Sequence, residues 1–493
     1  MELLQLFFIF FKLGIVNFGG GYALFPLLER EFVTKRKWVT NQELADYYAV
    51  GQCTPGAFAV NISTFLGIRR KGIIGGIVAT LGFVFPAFII IFVIASLLTN
   101  FSSNEYVRNA LAGIRVCVFF LIIYAIMKLS KSAIKDLPAG LLAGAIAISA
   151  IAIDIIPLYV YVILAAIFGI VVSFIRERKK KNKNEEKEKI EVKNKVIKKD
   201  YKKPLKSIGI ALGGFLVGIS LGLVGCLSFI FIKNKKYREG LLSAILIWLI
   251  FIFGIIINIS LGSTLVFDVF FQFFKIGFLA FGGGLATIPF LNELSLSTHW
   301  FSLTDLANML AVSESTPGAM GINMSTYVGY SVFNKGFNHL GLSFLGSMVS
   351  TLGLVTPSVI VIFFVSLFLD KFKDNKYVNW IFYGLRAASI GLIFAAVYSV
   401  LKVSLFNQYL DSNENMVNAV SYSFHQAFSH VDGFIDFFRA IGQFIYLLFN
   451  FKAVLVGVLF ALAIFGFKKH PILYIAFAAV VGICFQMYAP IYI

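Results

Sequence analysis

The sequence predicts an all-α integral membrane protein, with two inverted-topology repeats, about twelve transmembrane helices plus two re-entrant helical hairpins. Three observations predict it. The 493-residue chain is 59% hydrophobic with mean hydropathy +0.85, and it holds many apolar runs long enough to cross a bilayer, which a globular protein lacks. Its two halves repeat: FFKLGIVNFGGGYALFP, Phe10 to Pro26, returns as FFKIGFLAFGGGLATIP, Phe273 to Pro289. Its basic loops alternate so that one half is turned over relative to the other.

The opening residues, MELLQLFFIFF, lack the positive region and small-residue cleavage site of a secretory leader, and are expected to begin a retained membrane segment. That segment carries Lys12 and runs into Gly19, Gly20 and Gly21, matched in the second half by Lys275 and Gly282, Gly283 and Gly284. A glycine inside a helix costs about 1 kcal/mol relative to alanine. The triplet therefore reads as a bend, or as bare backbone that another group approaches closely. After a basic turn, Asn41 to Gly67 is too polar for an ordinary span and is broken by Thr54-Pro55-Gly56. Proline removes a backbone donor, so two half-helices in a re-entrant hairpin are expected, shielded by protein or a watery cavity.

Further spans are expected near 73–99, 107–128, 138–154 and 157–175, completing a first repeat over 1–175. Residues 176–206 hold 15 basic and six acidic residues, half of the net +18. Such a run suits nucleic acid or anionic lipid, but it reads best as a solvated cytoplasmic linker, because positive loops fix membrane orientation. Two connecting transmembrane helices follow within 207–262. The GISLG run, Gly218 to Gly222, matches a nucleophile-elbow pattern but has no strand before it and is dismissed.

The second repeat, 267–493, replays the first. Thr316-Pro317-Gly318 answers Thr54-Pro55-Gly56, Asn323 answers Asn61, and Arg386 answers Arg115 within a later span. Spans near 341–369, 378–402, 452–467 and 471–489 complete it, with an insert at 403–450. If the linker is inside, the basic clusters at 69–71, 128–135, 371–376 and 468–469 are inside too, and the repeats are inverted. The basic loop at Lys233 to Arg238 runs against this scheme.

Inverted repeats with paired broken helices suit a secondary transporter binding substrate near the midplane. Half-helix amino termini favour anions. The candidate substrate-binding residues are Lys12, Gly19, Gly20, Gly21, Thr54, Pro55, Gly56, Asn61 and Arg115, with their counterparts Lys275, Gly282, Gly283, Gly284, Thr316, Pro317, Gly318, Asn323 and Arg386. Each cation has a structural alternative: Lys12 near a helix end can snorkel to the interface, and the arginines can bond carbonyls of a broken helix. No metal site is expected, since His425, His430 and Asp432 are loosely spaced. The four cysteines form no CxxC pair and read as small buried side chains. No zinc-protease, P-loop or triad pattern is present, so neither an enzyme nor an ATP-driven pump is expected.

The repeated FFKLGIVNFGGGYALFP segment, GQCTPGAFAVNISTFLG with SESTPGAMGINMSTYVG, and the Thr-Leu-Gly spans with a proline beyond resemble the chromate ion transporter family in its long, two-domain form. The family usually shows Pro-Gly-Pro where this chain has Pro55-Gly56-Ala57 and Pro317-Gly318-Ala319. The resemblance implies a multi-pass transporter of the cell (plasma) membrane that moves a tetrahedral oxyanion, chromate or sulfate, typically chromate efflux. An anion channel, or a transporter of a different anion, is the alternative to what the resemblance implies. It implies no cofactor, and as partners the oxyanion and the lipid bilayer, no nucleic acid, and a homodimer as a candidate assembly.

Overall fold

Glycine and proline punctuation decides where the helices of this apolar chain stop. The computed structural model describes residues 2–17, 21–101, 104–153, 156–191, 264–367, 375–410, 416–429, 434–467, 469–488 and 490–492. Helix α1 (Glu2–Val16) is followed by α2 (Gly21–Leu28) and a π-helical stretch, Glu29–Lys35. Helix α3 (Asn41–Cys53) opens on a capping box in which the Thr40 hydroxyl accepts from the Glu43 N–H and the Glu43 carboxylate accepts from the Thr40 N–H. The backbone is extended at Thr54 and Ala57, with Gly56 at φ +94° between them. A side chain is strongly disfavoured there, so glycine is what lets the chain reverse into α4 (Phe58–Asn100). Helix α4 is itself bent at Lys71–Gly72, which divides a short half-helix from a long apolar one. Helices α5 (Glu105–Ala133), α6 (Leu137–Ala152) and α7 (Leu158–Glu191) follow.

The second half begins with α8 (Leu265–Leu279), the turn at Gly282 and Gly283 with φ +104° and +100°, a short 3-10 helix (Gly284–Thr287), and α9 (Ile288–Thr298). Helix α10 (Leu303–Ser315) has its own capping box, Ser302 with Asp305. After the break at Thr316–Ala319 come α11 (Met320–Phe337), α12 (Leu340–Leu367) and α13 (Lys376–Leu405). The insert carries α14 (Ala419–Phe428) and α15 (Phe434–Leu448), and α16 (Phe451–Phe467) and α17 (Pro471–Cys484) close the helical order. Strand β1 (Tyr409–Leu410) pairs antiparallel with β2 (Met416–Val417) and parallel with β3 (Ile491–Tyr492).

The protein is thus an all-α membrane protein. Helices α4, α5, α7, α12 and α13 contain stretches long and apolar enough to cross a bilayer, and α6, α16 and α17 are shorter apolar helices. Each falls where a span was expected. Helix α7 runs on to Glu191, through the first half of the basic stretch. The two connecting spans within 207–262, Gly19 and Gly20 lie outside the described residues. Residues Ser173–Asp268 form a separate packing unit from Met1–Val172 with Val269–Ile493.

Within that larger unit the two halves pack alike. Gly14 of α1 meets the Phe83 carbonyl and Pro86 of α4, and Gly277 of α8 meets the Leu354 carbonyl and Pro357 of α12. The Thr64 and Thr80 hydroxyls are 2.6 Å apart, and those of Thr326 and Thr351 are 2.8 Å apart. The halves then exchange partners. Gly113 of α5 lies against Ala478 and Gly482 of α17, while Gly384 of α13 lies against Ala165 and Gly169 of α7. Glycine on both sides removes the Cβ and lets the helix backbones touch, the usual close contact of helices in lipid.

Candidate functional site

The two broken hairpins are built by the same local bonds. Asn61, fully buried, donates from Nδ2 to the Gly51 carbonyl (3.2 Å), Thr54 Oγ1 (3.0 Å) and the Pro55 carbonyl (3.1 Å). Asn323 does the same to the Ser313 carbonyl (3.2 Å), Thr316 Oγ1 (3.1 Å) and the Pro317 carbonyl (3.2 Å). Thr54 and Thr316 hydroxyls donate back to the Val50 and Val312 carbonyls. These residues satisfy the carboxyl-terminal carbonyls that the break would leave orphaned. Asn61 and Asn323 are therefore braces within each hairpin.

The hairpins are stitched to each other's glycine turns. The Gly56 N–H donates to the Ala280 carbonyl (2.9 Å), and the Gly318 N–H donates to the Asn17 carbonyl (2.8 Å). Asn17 and Ala280 stand at the same position before the two glycine triplets. Pro55 and Phe281 also bridge as isolated antiparallel partners, and Ser389 of α13 holds the Phe281 carbonyl at 2.7 Å. The reciprocal pair is what a twofold relation between the halves produces.

Around this junction is a cavity of about 440 Å³, within the usual range for a small-molecule site. Ala57, Phe58 and Ala59 at the start of α4 border it, as do Gly318, Ala319 and Met320 at the start of α11. Neither start is capped by a side chain. The glycine turn Gly282–Gly284, Thr316, Asn17 and Ser313 also border it. Among the described residues, both polar atoms of the Asn17 side chain and the Ser313 hydroxyl are buried without a hydrogen-bond partner. The cations on the cavity are Arg386 of α13, Lys128 of α5 and Lys469, and its acid is Glu314.

The expected site residues divide. The second-half set, Gly282, Gly283, Gly284, Thr316, Gly318 and Arg386, borders the cavity; Pro317 is half-buried beside it. Thr54, Pro55 and Gly56 are buried at the junction, where Gly56 is bonded to the other half. Gly21 begins α2. Lys12 and Lys275 are exposed, Lys275 with its ammonium 5.7 Å from the Tyr159 ring centre. Arg115 is buried and borders a different pocket of about 20 Å³, with Tyr488, Gln408 and Met487. Sequence reasoning did not single out Lys128, Lys469, His470, Glu314 or Asn17 as site residues, because it weighed only polar residues that occur twice.

The fold and cavity define a membrane transporter. The chain belongs to the chromate transporter family, whose model matches residues 4–170 and 267–483. It is 25% identical over 408 residues to the chromate transport protein of Pseudomonas aeruginosa, covering 81% of each chain. It is 22% identical to that of Cupriavidus metallidurans, over 81% of this chain and 83% of the relative. An uncharacterised transporter of Methanocaldococcus jannaschii is 24% identical over 80% of this chain and 83% of its own. No solved structure matches the chain. Membership makes it a transporter and not an enzyme.

Proposed function

We propose that the chain is a secondary transporter that carries a tetrahedral oxyanion, chromate or sulfate-like, across the cell membrane by alternating access, with chromate efflux as its activity. The observation that carries this reading is the pair of half-helix amino termini, at Phe58 and Met320, opening uncapped onto one cavity beside Arg386. Unpaired N–H groups and the positive dipole end favour an anion there. The Arg386 guanidinium adds a planar fork that bonds two oxyanion oxygens at once. The relatives named as chromate transport proteins agree with that charge.

In this reading the two repeats, 1–175 and 267–493, lie inverted in the membrane with their broken hairpins re-entrant, joined by the basic cytoplasmic linker and two connecting helices. The cavity reaches Lys128 and Lys469, which belong to the basic clusters assigned to the cytoplasm, so the form described is open inward. Arg115, the repeat mate of Arg386, borders only a small pocket, as expected if the opposite side is closed. Counterflow of labelled sulfate and chromate in proteoliposomes of the purified protein tests the reading. Saturable uptake stimulated by unlabelled anion on the far side is expected. Flux that neither saturates nor is trans-stimulated would indicate a channel.

A further inference from the structure

The anion cavity contains a carboxylic acid, and an acid is the wrong charge for its proposed ligand. Glu314 is on the last turn of α10, one residue after Ser313 and two before the Thr316 break, and it borders the cavity. Its counterpart in the first repeat is Gln52, so the acid is peculiar to the second. Among the described residues nothing engages its carboxyl by an ion pair or hydrogen bond. The capping acids of the two hairpins differ in this respect: Glu43 pairs with Arg69 at 3.3 Å and Asp305 with Lys335 at 3.1 Å.

We propose that Glu314 is the proton-binding residue of the transport cycle, taking up one proton when the oxyanion enters the cavity and releasing it when the anion leaves. This rests on the anion-transport reading above. A carboxylate and a dianion sharing one cavity repel, so a bound dianion favours the protonated form of the carboxyl. A neutral carboxylic acid removes the repulsion and offers an O–H donor to an anion oxygen. The proton comes from a hydronium ion in the water that enters the cavity: its O–H bond breaks as the O–H bond on a Glu314 carboxyl oxygen forms, and a neutral water is left. The complex of dianion and proton then crosses with one negative charge fewer than the dianion alone.

The other groups on the cavity have different parts. Arg386 on α13 and Lys128 on α5 supply fixed positive charge, with Lys469 beside α17. Tyr124 on α5 and Tyr474 on α17 bring phenols to the cavity wall. Helices α9 and α11, which also pack on α10, present no titratable side chain to the cavity. His470, the cap of α17, is the competing candidate, because it brings an imidazole to the same cavity.

The test uses sulfate, which stays fully dianionic between about pH 6 and 8, so the ligand does not titrate. Sulfate affinity of the purified full chain is measured across that range, with proton uptake on binding followed in weak buffer. Wild type is expected to take up as much as one proton per sulfate, the most toward the alkaline end of the range, and to bind up to about tenfold tighter per unit fall in pH there. Glu314→Gln is expected to bind sulfate with pH-independent affinity and no proton uptake, while Glu314→Asp and His470→Asn keep both. Binding without proton uptake in wild type overturns the proposal, as does uptake that persists in Glu314→Gln or is lost in His470→Asn. If wild type binds neither sulfate nor chromate, the anion reading itself fails and the coupling with it. If the Gln variant does not fold, His470→Asn decides between the two candidates: uptake kept there leaves Glu314 as the acceptor, and uptake lost there overturns the proposal.

Discussion

Arg115 and Arg386 hold the same place in the two repeats, yet Arg386 borders a cavity of about 440 Å³ and Arg115 a pocket of about 20 Å³. Around them the halves are otherwise alike: both hairpins are braced by one asparagine, and each is bonded to the glycine turn of the other. The difference is thus in how much space surrounds an equivalent charge and not in how the backbone is built. In the proposed alternating-access cycle the two halves would exchange these surroundings, which is the kind of bistable element that switching requires. The braces and turns are the parts that stay the same in both halves.

The largest effects are expected where the shared backbone is disturbed. Gly318 has φ +117°, and a Cβ there would collide with Ala87 and the Asn323 amide. Gly56, at φ +94°, would drive a Cβ into Ser358. Left-handed strain of about 1–2 kcal/mol then adds to overpacking of about 1–3 kcal/mol, so Gly56→Ala and Gly318→Ala should each lose several kcal/mol. Gly283, at φ +100°, has nothing within reach of a Cβ, so Gly283→Ala should show the strain alone. Thermal unfolding in detergent reads all three. Equal losses at Gly283 and Gly318 would show that the close approach between halves contributes little.

Next comes binding. Arg386→Gln should weaken sulfate affinity about tenfold or more, since a charged hydrogen-bonding group contributes roughly 1.5–3 kcal/mol. Arg386→Lys should recover only part, because the ammonium lacks the bidentate fork. If the proposed alternating-access cycle holds, Arg115→Gln should leave affinity nearly unchanged, since Arg115 borders only the small pocket, while slowing exchange in proteoliposomes. Equal loss of affinity in the two Gln variants would remove the distinction between the arginines.

The sequence made the breaks legible because their chemistry is local. Gly56, Gly282, Gly283 and Gly318 take backbone angles that side chains disfavour, and Pro55 and Pro317 stop the helix before them. The bonds by which Asn61 and Asn323 brace the breaks were not read from the sequence, where both stood among the substrate-binding candidates. The partner exchange was not legible: Gly113 and Gly384 announce a close helix contact but not which helix makes it. Placing Arg115 with Arg386 assumed that equal positions meet equal surroundings, which holds only when both halves have the same packing. Glu314 escaped notice because a search for repetition passes over the residue that breaks it.

The smallest effect should come from the buried threonine pairs, and it should differ between the halves. The Thr64 hydroxyl donates to the Val60 carbonyl and meets Thr80 at 2.6 Å. The Thr326 hydroxyl likewise donates to Ile322 and meets Thr351 at 2.8 Å. Thr351, however, has the Ser347 carbonyl at 2.7 Å as a second acceptor for its one proton, whereas the bond to Thr64 is the one that engages Thr80 among the described residues. Thr326→Val therefore removes a bond and leaves its partner satisfied, at a cost of about 1 kcal/mol. Thr64→Val strands a hydroxyl that is 2% exposed, and a buried unsatisfied group raises the cost to about 1–3 kcal/mol. The Thr64→Val variant should consequently melt at the lower temperature. Pairing it with Thr80→Val should recover part of the loss, because replacing both partners leaves no stranded group. A Thr64→Val melt equal to that of Thr326→Val, with no recovery in the double variant, would mean that Thr80 finds a carbonyl of its own helix and that the two halves tolerate the change alike.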